Sequence, residues 1–372
     1  MSDADTSAGM EKFIRSDLAA FGGYAASTSP ETLKGKVEVP VESIIKLDAN
    51  ENPYGCSPRV VEALAKYPYF NIYPDNGQAE LREMLAGYTG VGAERIVASG
   101  GSNQLIDLLV RLLVGPDDEV INCVPTFDIY RFSTEIVGGR VIDVPRDESF
   151  AVNVDGIKAA VSPKTRLICL ANPNSPTGNI TSQRDILTIL DTGLPTLIDE
   201  AYYEFSGETV LPLTSRYQNL VVLRTFSKWA GLAGLRVGYG IFPPGIAEYL
   251  MAIKMPYNVN VAAHLAVRES LRDIDYLRDR VKDIIAERER LFAELMKIDF
   301  LKPFPSQANF ILCSVIKGTA RELHQELQSR GILVRYFDKP LVQNCIRISV
   351  GKPEHTDALI RALRELGGQT GG

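Results

Sequence analysis

The chain has 372 residues, with 40 Lys plus Arg, 46 Asp plus Glu and a formal net charge of -6. A chain of this length is expected to form one large and one smaller domain. The net charge is negative and no long run of Lys and Arg occurs. We therefore expect a small-molecule partner, and not a surface that binds nucleic acid or an anionic membrane.

The chain carries five cysteines, spread far apart, and no two of them form a C-x-x-C pair. This spacing predicts neither a disulfide framework nor a zinc site, and the three dispersed histidines predict no metal centre. The first ten residues are polar and acidic, unlike a secretory signal, and no apolar run is long enough to span a membrane. We therefore expect a cytoplasmic protein with reduced thiols.

Between about Gly87 and Phe242, short apolar runs alternate with helical patterns. This alternation predicts an α/β fold around a mainly parallel sheet, in which ligands bind beyond the carboxyl ends of the strands. The predicted strands are R-I-V-A, D-E-V-I-N-C-V, G-R-V-I-D-V, R-L-I-C-L, P-T-L-I-D, N-L-V-V-L and V-G-Y-G-I-F.

After Asn260 the pattern changes to a long charged helix over about 262–296, followed by a helix between short strands. This indicates a smaller α+β unit. We expect an N-terminal arm and part of the small domain over residues 1–48, a large domain over 49–262 and the C-terminal small domain over 263–372.

Small polar residues open the helix in G-G-S-N-Q-L, directly after a predicted strand. A helix start reached through glycines exposes N–H groups and the positive end of the dipole, which suits a phosphate. Ser102 or Asn103 could equally cap the helix without any ligand. Together with Ser227 and Arg236, the segment predicts a phosphate site.

Two charged residues, Lys228 and Asp199, occur at the ends of apolar strands. A partly desolvated lysine near other cations can form Schiff bases with carbonyl compounds, although a lone loop lysine is usually a surface residue. A carboxylate at a buried strand end requires a cation, a protonated ring nitrogen or a helix N-terminus. The residues alone leave these alternatives open.

Taken in order, five segments resemble the aminotransferase superfamily of fold-type I pyridoxal-phosphate enzymes: G-G-S-N, P-T-F, N-P-N-S-P-T-G, D-E-A-Y and S-K-W-A-G-L-A-G-L-R-V-G. The resemblance covers nearly the whole chain after about Leu18. It implies a pyridoxal 5′-phosphate cofactor and a large cofactor-binding domain. Within the superfamily, L-D-A-N-E-N-P-Y-G, Y-P-D and I-R-I-S-V-G resemble the branch that acts on histidinol phosphate.

The resemblance implies a role for each matched residue. Lys228 would hold the cofactor aldehyde as a Schiff base and then transfer the proton. Asp199 would keep the pyridine nitrogen protonated, Tyr202 would hydrogen-bond the phenolic oxygen, and Phe127 would stack on the ring. The cofactor phosphate would be held by Ser102, Asn103, Ser227 and Arg236, and by Tyr73 of a neighbouring subunit, which implies a homodimer.

Two positions depart from the superfamily pattern, and at one of them Phe127 stands where many relatives use tyrosine. Many members carry asparagine immediately before P-T-G, where this chain has Ser175. The second contact to the phenolic oxygen is therefore assigned to Asn174.

For the substrates, the resemblance implies that Arg335 and Arg347 bind the phosphate of histidinol phosphate and the carboxylates of glutamate and 2-oxoglutarate. Arg335 could instead pair with Asp338 or Glu326 on the surface. Tyr24 would close over the substrate from the arm. An aromatic amino acid aminotransferase, a decarboxylase of an amino acid phosphate and a sensor without turnover remain alternatives.

Overall fold

The computed structural model describes residues 9–19, 21–23, 29–33 and 39–369, which form two β-sheets with helices packed against them. The strands are β1 (Ile45–Leu47), β2 (Ile96–Ser99), β3 (Glu119–Val124), β4 (Arg140–Pro145), β5 (Thr165–Ala171), β6 (Thr196–Asp199), β7 (Leu220–Thr225), β8 (Gly238–Ile241), β9 (Leu301–Pro303), β10 (Phe310–Val315), β11 (Ile332–Phe337) and β12 (Cys345–Ser349).

The α-helices lie between these strands and beyond them. They are α1 (Pro58–Lys66), α2 (Ala79–Thr89), α3 (Ser102–Leu113), α4 (Ile129–Ile136), α5 (Val154–Ala160), α6 (Gln183–Leu190), α7 (Tyr203–Ser206), α8 (Pro244–Ile253), α9 (Val261–Arg272), α10 (Ile274–Leu295), α11 (Ala320–Ser329) and α12 (Pro353–Gln369). Within the described ranges, none of them is both long and apolar enough to cross a membrane.

The larger sheet has the strand order β2-β8-β7-β6-β5-β3-β4. Neighbouring strands from β7 to β4 run parallel, whereas β8 runs antiparallel to both β7 and β2. Strands β2, β6 and β7 are buried along their whole length, as expected for a sheet covered on both faces. The predicted α/β fold around a mainly parallel sheet is thus confirmed.

The carboxyl ends of β2, β3, β5, β6 and β7 share one edge of this sheet, because these strands point the same way. At this edge β8 must lie close to the start of α3. A Cβ atom at Gly238 would lie 2.5 Å from the backbone nitrogen of Ser102, so the missing side chain permits this approach.

The smaller sheet has the order β1-β11-β12-β10-β9 and combines the first strand of the chain with the last four. Strand β1 pairs in parallel with β11, and the other pairs are antiparallel. The helix predicted over 262–296 is two helices, α9 and α10. They separate at Asp273, which has a non-helical backbone and whose carboxylate accepts a hydrogen bond from Ser57.

Candidate active site

A cavity of about 620 Å³ lies where the carboxyl edge of the larger sheet meets strands β11 and β12 of the smaller one. The loop after β1 forms a further part of its wall. Most residues that the sequence predicts for a site line this one cavity, namely Ser102, Asn103, Phe127, Asp199, Tyr202, Ser227, Lys228, Arg236, Arg335 and Arg347.

Lys228 extends from the end of β7 towards the loop after β1. Its Nζ donates a hydrogen bond to the carbonyl oxygen of Ala49 at 2.8 Å. Burial, reinforced by the positive charges of Arg347 and Arg236, lowers the pKa of this amine to about 8. About a tenth of the amine is therefore unprotonated at pH 7, and this neutral form is the one that a nucleophilic lysine requires.

Asp199 ends β6 and is buried at the floor of the cavity, with 3% of its surface exposed. Its Oδ2 accepts a hydrogen bond from the hydroxyl of Tyr130 at 3.0 Å, and its Oδ1 accepts one from the N–H of Ala201 at 3.1 Å. Burial raises the pKa of the carboxyl to about 6, while these two hydrogen bonds oppose the rise. The site thus holds a buried acceptor suited to a protonated ring nitrogen.

The start of α3 forms one end of the cavity, and its N-terminal N–H groups suit an anion. Gly101 has a φ of +93°, and a Cβ atom there would lie 2.4 Å from Nη2 of Arg236. Nη1 of Arg236 donates to Oγ of Ser227 at 3.3 Å. A guanidinium, a hydroxyl and the N-terminus of α3 therefore converge on one place, which a side chain at Gly101 would occupy.

Tyr202 is held by the loop that follows β1. The Nδ2 of Asn50 donates to the hydroxyl oxygen of Tyr202 at 2.9 Å. Asn50 is in turn fixed by Ser349, whose hydroxyl donates to Oδ1 at 3.0 Å, and its φ is +54°. Asparagine tolerates this left-handed backbone better than most residues.

Arg335 and Arg347 lie directly opposite each other on β11 and β12. Arg347 donates to Oγ of Ser175 at 3.1 Å and to the carbonyl oxygen of Asp48 at 2.9 Å. Its guanidinium also stacks near the ring of Phe310. Asp338, the surface partner that the sequence suggested for Arg335, forms its ion pair with Arg321 at 3.4 Å.

Asn174 does not line the cavity, whereas Ser175 does. The Asn174 side chain is fully buried within its own turn. Its Nδ2 donates to the carbonyl oxygen of Pro125 and to Thr177, and its Oδ1 accepts from Thr126. These bonds satisfy the amide of Asn174 within its turn. Which of Asn174 and Ser175 contacts the phenolic oxygen stays a prediction.

Tyr73, another predicted residue, lies away from this wall. Tyr73 is 77% exposed and stacks on Tyr257, with ring centroids 4.4 Å apart. It is therefore not part of its own chain's cavity. Tyr24 lies outside the described residues.

Sequence reasoning missed Tyr130 and Asn50, which bond directly to Asp199 and Tyr202. Asn50 lies inside the segment L-D-A-N-E-N-P-Y-G, whereas Tyr130 lies three residues beyond P-T-F. Their hydrogen bonds join positions 69 and 152 residues apart, so chain proximity offered no signal for them.

The amino-acid sequence as a whole matches a known family of proteins. The sequence model described as "Aminotransferase class I and II" matches residues 42–363. The chain belongs to this family, and within it to the histidinol-phosphate aminotransferases, as the relatives named next demonstrate.

The chain is 56% identical to the histidinol-phosphate aminotransferase of Dehalococcoides mccartyi, over 96% of this chain and 99% of that one. It is 44% identical to histidinol-phosphate aminotransferase 1, chloroplastic, of Arabidopsis thaliana, over 95% of this chain and 86% of that one. The crystal structure of the Sinorhizobium meliloti histidinol-phosphate aminotransferase with pyridoxal-5′-phosphate has a TM-score of 0.85 and 28% identity, over 95% of this chain and 100% of that one.

The cofactor of this aminotransferase is pyridoxal 5′-phosphate. The donor set in the cavity fits each part of that molecule. The start of α3 with Arg236 suits its phosphate, the buried carboxylate of Asp199 suits a ring N–H, and the amine of Lys228 suits an aldehyde.

Proposed function

We propose that this aminotransferase transfers the amino group of L-histidinol phosphate to 2-oxoglutarate, yielding imidazole acetol phosphate and L-glutamate, as a step of histidine biosynthesis. The observation that carries the proposal is the pair Arg335 and Arg347, opposite each other in the cavity that also contains Lys228. Two guanidinium groups suit a phosphate dianion and equally the carboxylates of the second substrate pair. The names of the relatives support the same amino donor.

The cofactor phosphate binds at the start of α3. Ser102 and Asn103 present their N–H groups and side chains there, and Ser227 and Arg236 approach from the segment after β7. The absence of a side chain at Gly101 leaves room for the guanidinium of Arg236 beside the start of α3. The positive charge of this guanidinium and the N-terminus of α3 both favour a phosphate there.

Three residues of the cavity would hold the ring of the cofactor. Asp199 would accept a hydrogen bond from the ring nitrogen and keep it protonated, Tyr202 would hydrogen-bond the phenolic oxygen, and Phe127 would stack on the ring. When bound, the cofactor supplies an electron sink for the carbanion that forms as the substrate loses its proton. The negative charge of Asp199 would deepen that sink.

Ser175 makes the second contact near the phenolic oxygen. It lines the cavity, and its hydroxyl already accepts a hydrogen bond from Arg347. Ser175 therefore connects the place proposed for the cofactor ring to Arg347, one of the two arginines proposed to bind the substrate.

Lys228 acts twice. With the cofactor bound, Nζ of Lys228 would hold its aldehyde, and once freed by the substrate amine it would accept the proton from the substrate carbon and later release it. A pKa of about 8 leaves the amine able both to accept and to release a proton near neutral pH.

The active form is a homodimer, and the protein acts in the cytoplasm. Tyr73 reaches the cofactor phosphate of the neighbouring subunit. In support, Tyr73 stands exposed together with the apolar side chains of Tyr69, Phe70 and Ile72. A contiguous exposed apolar segment is typical of a subunit interface.

Steady-state kinetics with three amines test the proposed specificity. We expect kcat/KM for L-histidinol phosphate to exceed that for L-phenylalanine by roughly a hundredfold or more, because L-phenylalanine has no phosphate for the two arginines to bind. A preference for L-phenylalanine would make the protein an aromatic amino acid aminotransferase. Release of carbon dioxide from L-threonine phosphate would make it a decarboxylase.

A further inference from the structure

Tyr130 is a fully buried tyrosine that stands behind the cavity wall. It lies in the first turn of α4, and its hydroxyl oxygen is 3.0 Å from Oδ2 of Asp199. Asp199 lines the cavity and Tyr130 does not. Tyr130 can therefore act on a bound molecule only through its neighbours.

The same side chain contacts a second wall residue. The rings of Tyr130 and Phe127 meet edge to face, with centroids 5.9 Å apart and planes at 89°. One buried ring thus touches both the carboxylate below the cofactor nitrogen and the ring proposed to stack on the cofactor. This arrangement links two parts of the site that are far apart in the chain.

The hydroxyl of Tyr130 completes the hydrogen bonding of a buried carboxylate. Oδ1 of Asp199 is satisfied by the backbone of Ala201, and Oδ2 by Tyr130. Burial and the nearby charge of Asp199 raise the pKa of Tyr130 well above its usual range. The hydroxyl therefore remains protonated and acts as a donor.

We propose that Tyr130 is a positioning residue for Asp199: its hydroxyl holds the carboxylate in the orientation and charged form that the ring nitrogen of the cofactor requires. The inference rests on the proposed role of Asp199 at that nitrogen. Hydrogen bonds to a charged acceptor are stronger than neutral ones, and removing the donor leaves a buried oxygen unsatisfied.

A purely structural role for Tyr130 makes a different prediction. Its ring packs in an apolar cluster with Leu105, Leu109 and Val120. Phenylalanine fills nearly the same volume, so a residue that only fills the core does not need the hydroxyl. Removing one oxygen atom therefore separates the two roles.

The test compares Tyr130→Phe with the matched control Tyr88→Phe. Tyr88 donates its hydroxyl to Glu204 at 3.3 Å, and burial raises the pKa of that carboxyl to about 8, but neither residue lines the cavity. Two quantities other than activity are measured. The first is the Kd of pyridoxal phosphate for the cofactor-free protein. The second is the ¹⁵N resonance of the cofactor ring nitrogen, recorded on protein loaded with ¹⁵N-labelled cofactor.

In Tyr130→Phe we expect Kd to rise on the order of tenfold, and the ring-nitrogen resonance to move towards that of a neutral pyridine. Tyr88→Phe should change neither. An unchanged Kd together with an unchanged resonance in Tyr130→Phe overturns the proposal. If that variant does not fold, replacing Tyr130 by 3-fluorotyrosine keeps the ring and makes the hydroxyl more acidic, and a resonance that does not respond overturns it equally.

Asp199→Asn distinguishes the two possible failures. If Asp199→Asn binds the cofactor and turns over as the wild type does, the role proposed for Asp199 is wrong. If Asp199→Asn is impaired and Tyr130→Phe is not, only the role of Tyr130 is wrong. In the Asp199→Asn background, Tyr130→Phe should cause no further loss of cofactor affinity, because its acceptor no longer carries the charge.

Discussion

Arg335 and Arg347 lie directly opposite each other on the antiparallel strands β11 and β12, at the wall of the cavity that contains Lys228. A dianion bound at this wall would be attracted by both guanidinium groups. This relationship, together with the low pKa of Lys228, underlies the proposed choice of substrates.

Removal of one arginine should selectively lower kcat/KM for the phosphorylated substrate. We expect Arg335→Ala to lower kcat/KM for L-histidinol phosphate by roughly a hundredfold, since a charged contact worth about 2–3 kcal/mol is lost. The decrease in kcat/KM for L-phenylalanine should be much smaller. Arg321→Ala is the matched control, because Arg321 forms an exposed ion pair with Asp338. Equal losses for both amines in Arg335→Ala would remove Arg335 from phosphate recognition.

The rate at which the cofactor-free protein captures pyridoxal phosphate should depend on pH through Lys228. Its pKa lies at about 8, below the ordinary value of 10.5, so the neutral amine accumulates as the pH rises through 8. We expect the capture rate, followed by visible absorbance, to rise across this range and then level off. A rate that keeps rising towards pH 10.5 would mean that the cavity does not lower the pKa of this lysine.

The cofactor-free protein should be stabilised by Asp199→Asn at alkaline pH. The pKa of Asp199 in the folded chain, about 6, lies above the ordinary value of 3.8. The stability that this group contributes is therefore present below pH 3.8 and lost as the pH rises through 6. At pH 8 we expect the variant to gain on the order of 1–3 kcal/mol in the free energy of unfolding.

Denaturant unfolding at pH 8 and at pH 4 measures this difference. The gain should shrink at the lower pH, where the carboxyl is protonated. A variant that is less stable than the wild type at pH 8 would show that the buried charge is already compensated in the cofactor-free protein.

Subunit mixing tests the proposed reach of Tyr73 into the neighbouring site. Lys228→Ala and Tyr73→Ala should each have little activity alone. Random mixing gives hybrid dimers in which one site carries both defects and the other carries none, so roughly a quarter of wild-type activity should return. No recovery after subunit exchange would indicate that Tyr73 serves its own subunit or none.

Local patterns were sufficient to predict much of this molecule. The apolar runs ending at Asp199 and before Lys228 predicted β6 and β7, and both charged residues line one cavity because parallel strands share a carboxyl edge. The pairing of Ile45 with Ile332 could not be predicted, since it joins distant segments in a second sheet. The division into domains at residues 48 and 262 stays a prediction.

The open choice between Asn174 and Ser175 and the missed residue Tyr130 have a common cause. Asn174 and Ser175 are neighbours, and only the three-dimensional course of their turn decides which one reaches the cavity. Tyr130 is likewise identified by its hydrogen bond to Asp199, 69 residues further along the chain, and not by its own segment. Sequence patterns predict which segments meet, whereas the choice between adjacent side chains depends on backbone geometry.

The most direct test of the central claim is the visible absorbance of the purified, cofactor-loaded protein as L-histidinol phosphate and then 2-oxoglutarate are added. We predict that low concentrations of L-histidinol phosphate abolish the absorbance of the lysine-bound cofactor, that 2-oxoglutarate restores it, and that Lys228→Ala lacks this cycle. If L-phenylalanine or L-threonine phosphate drives the change far better, the proposed substrate is wrong. If the loaded wild type has no such band, the role of Lys228 is contradicted.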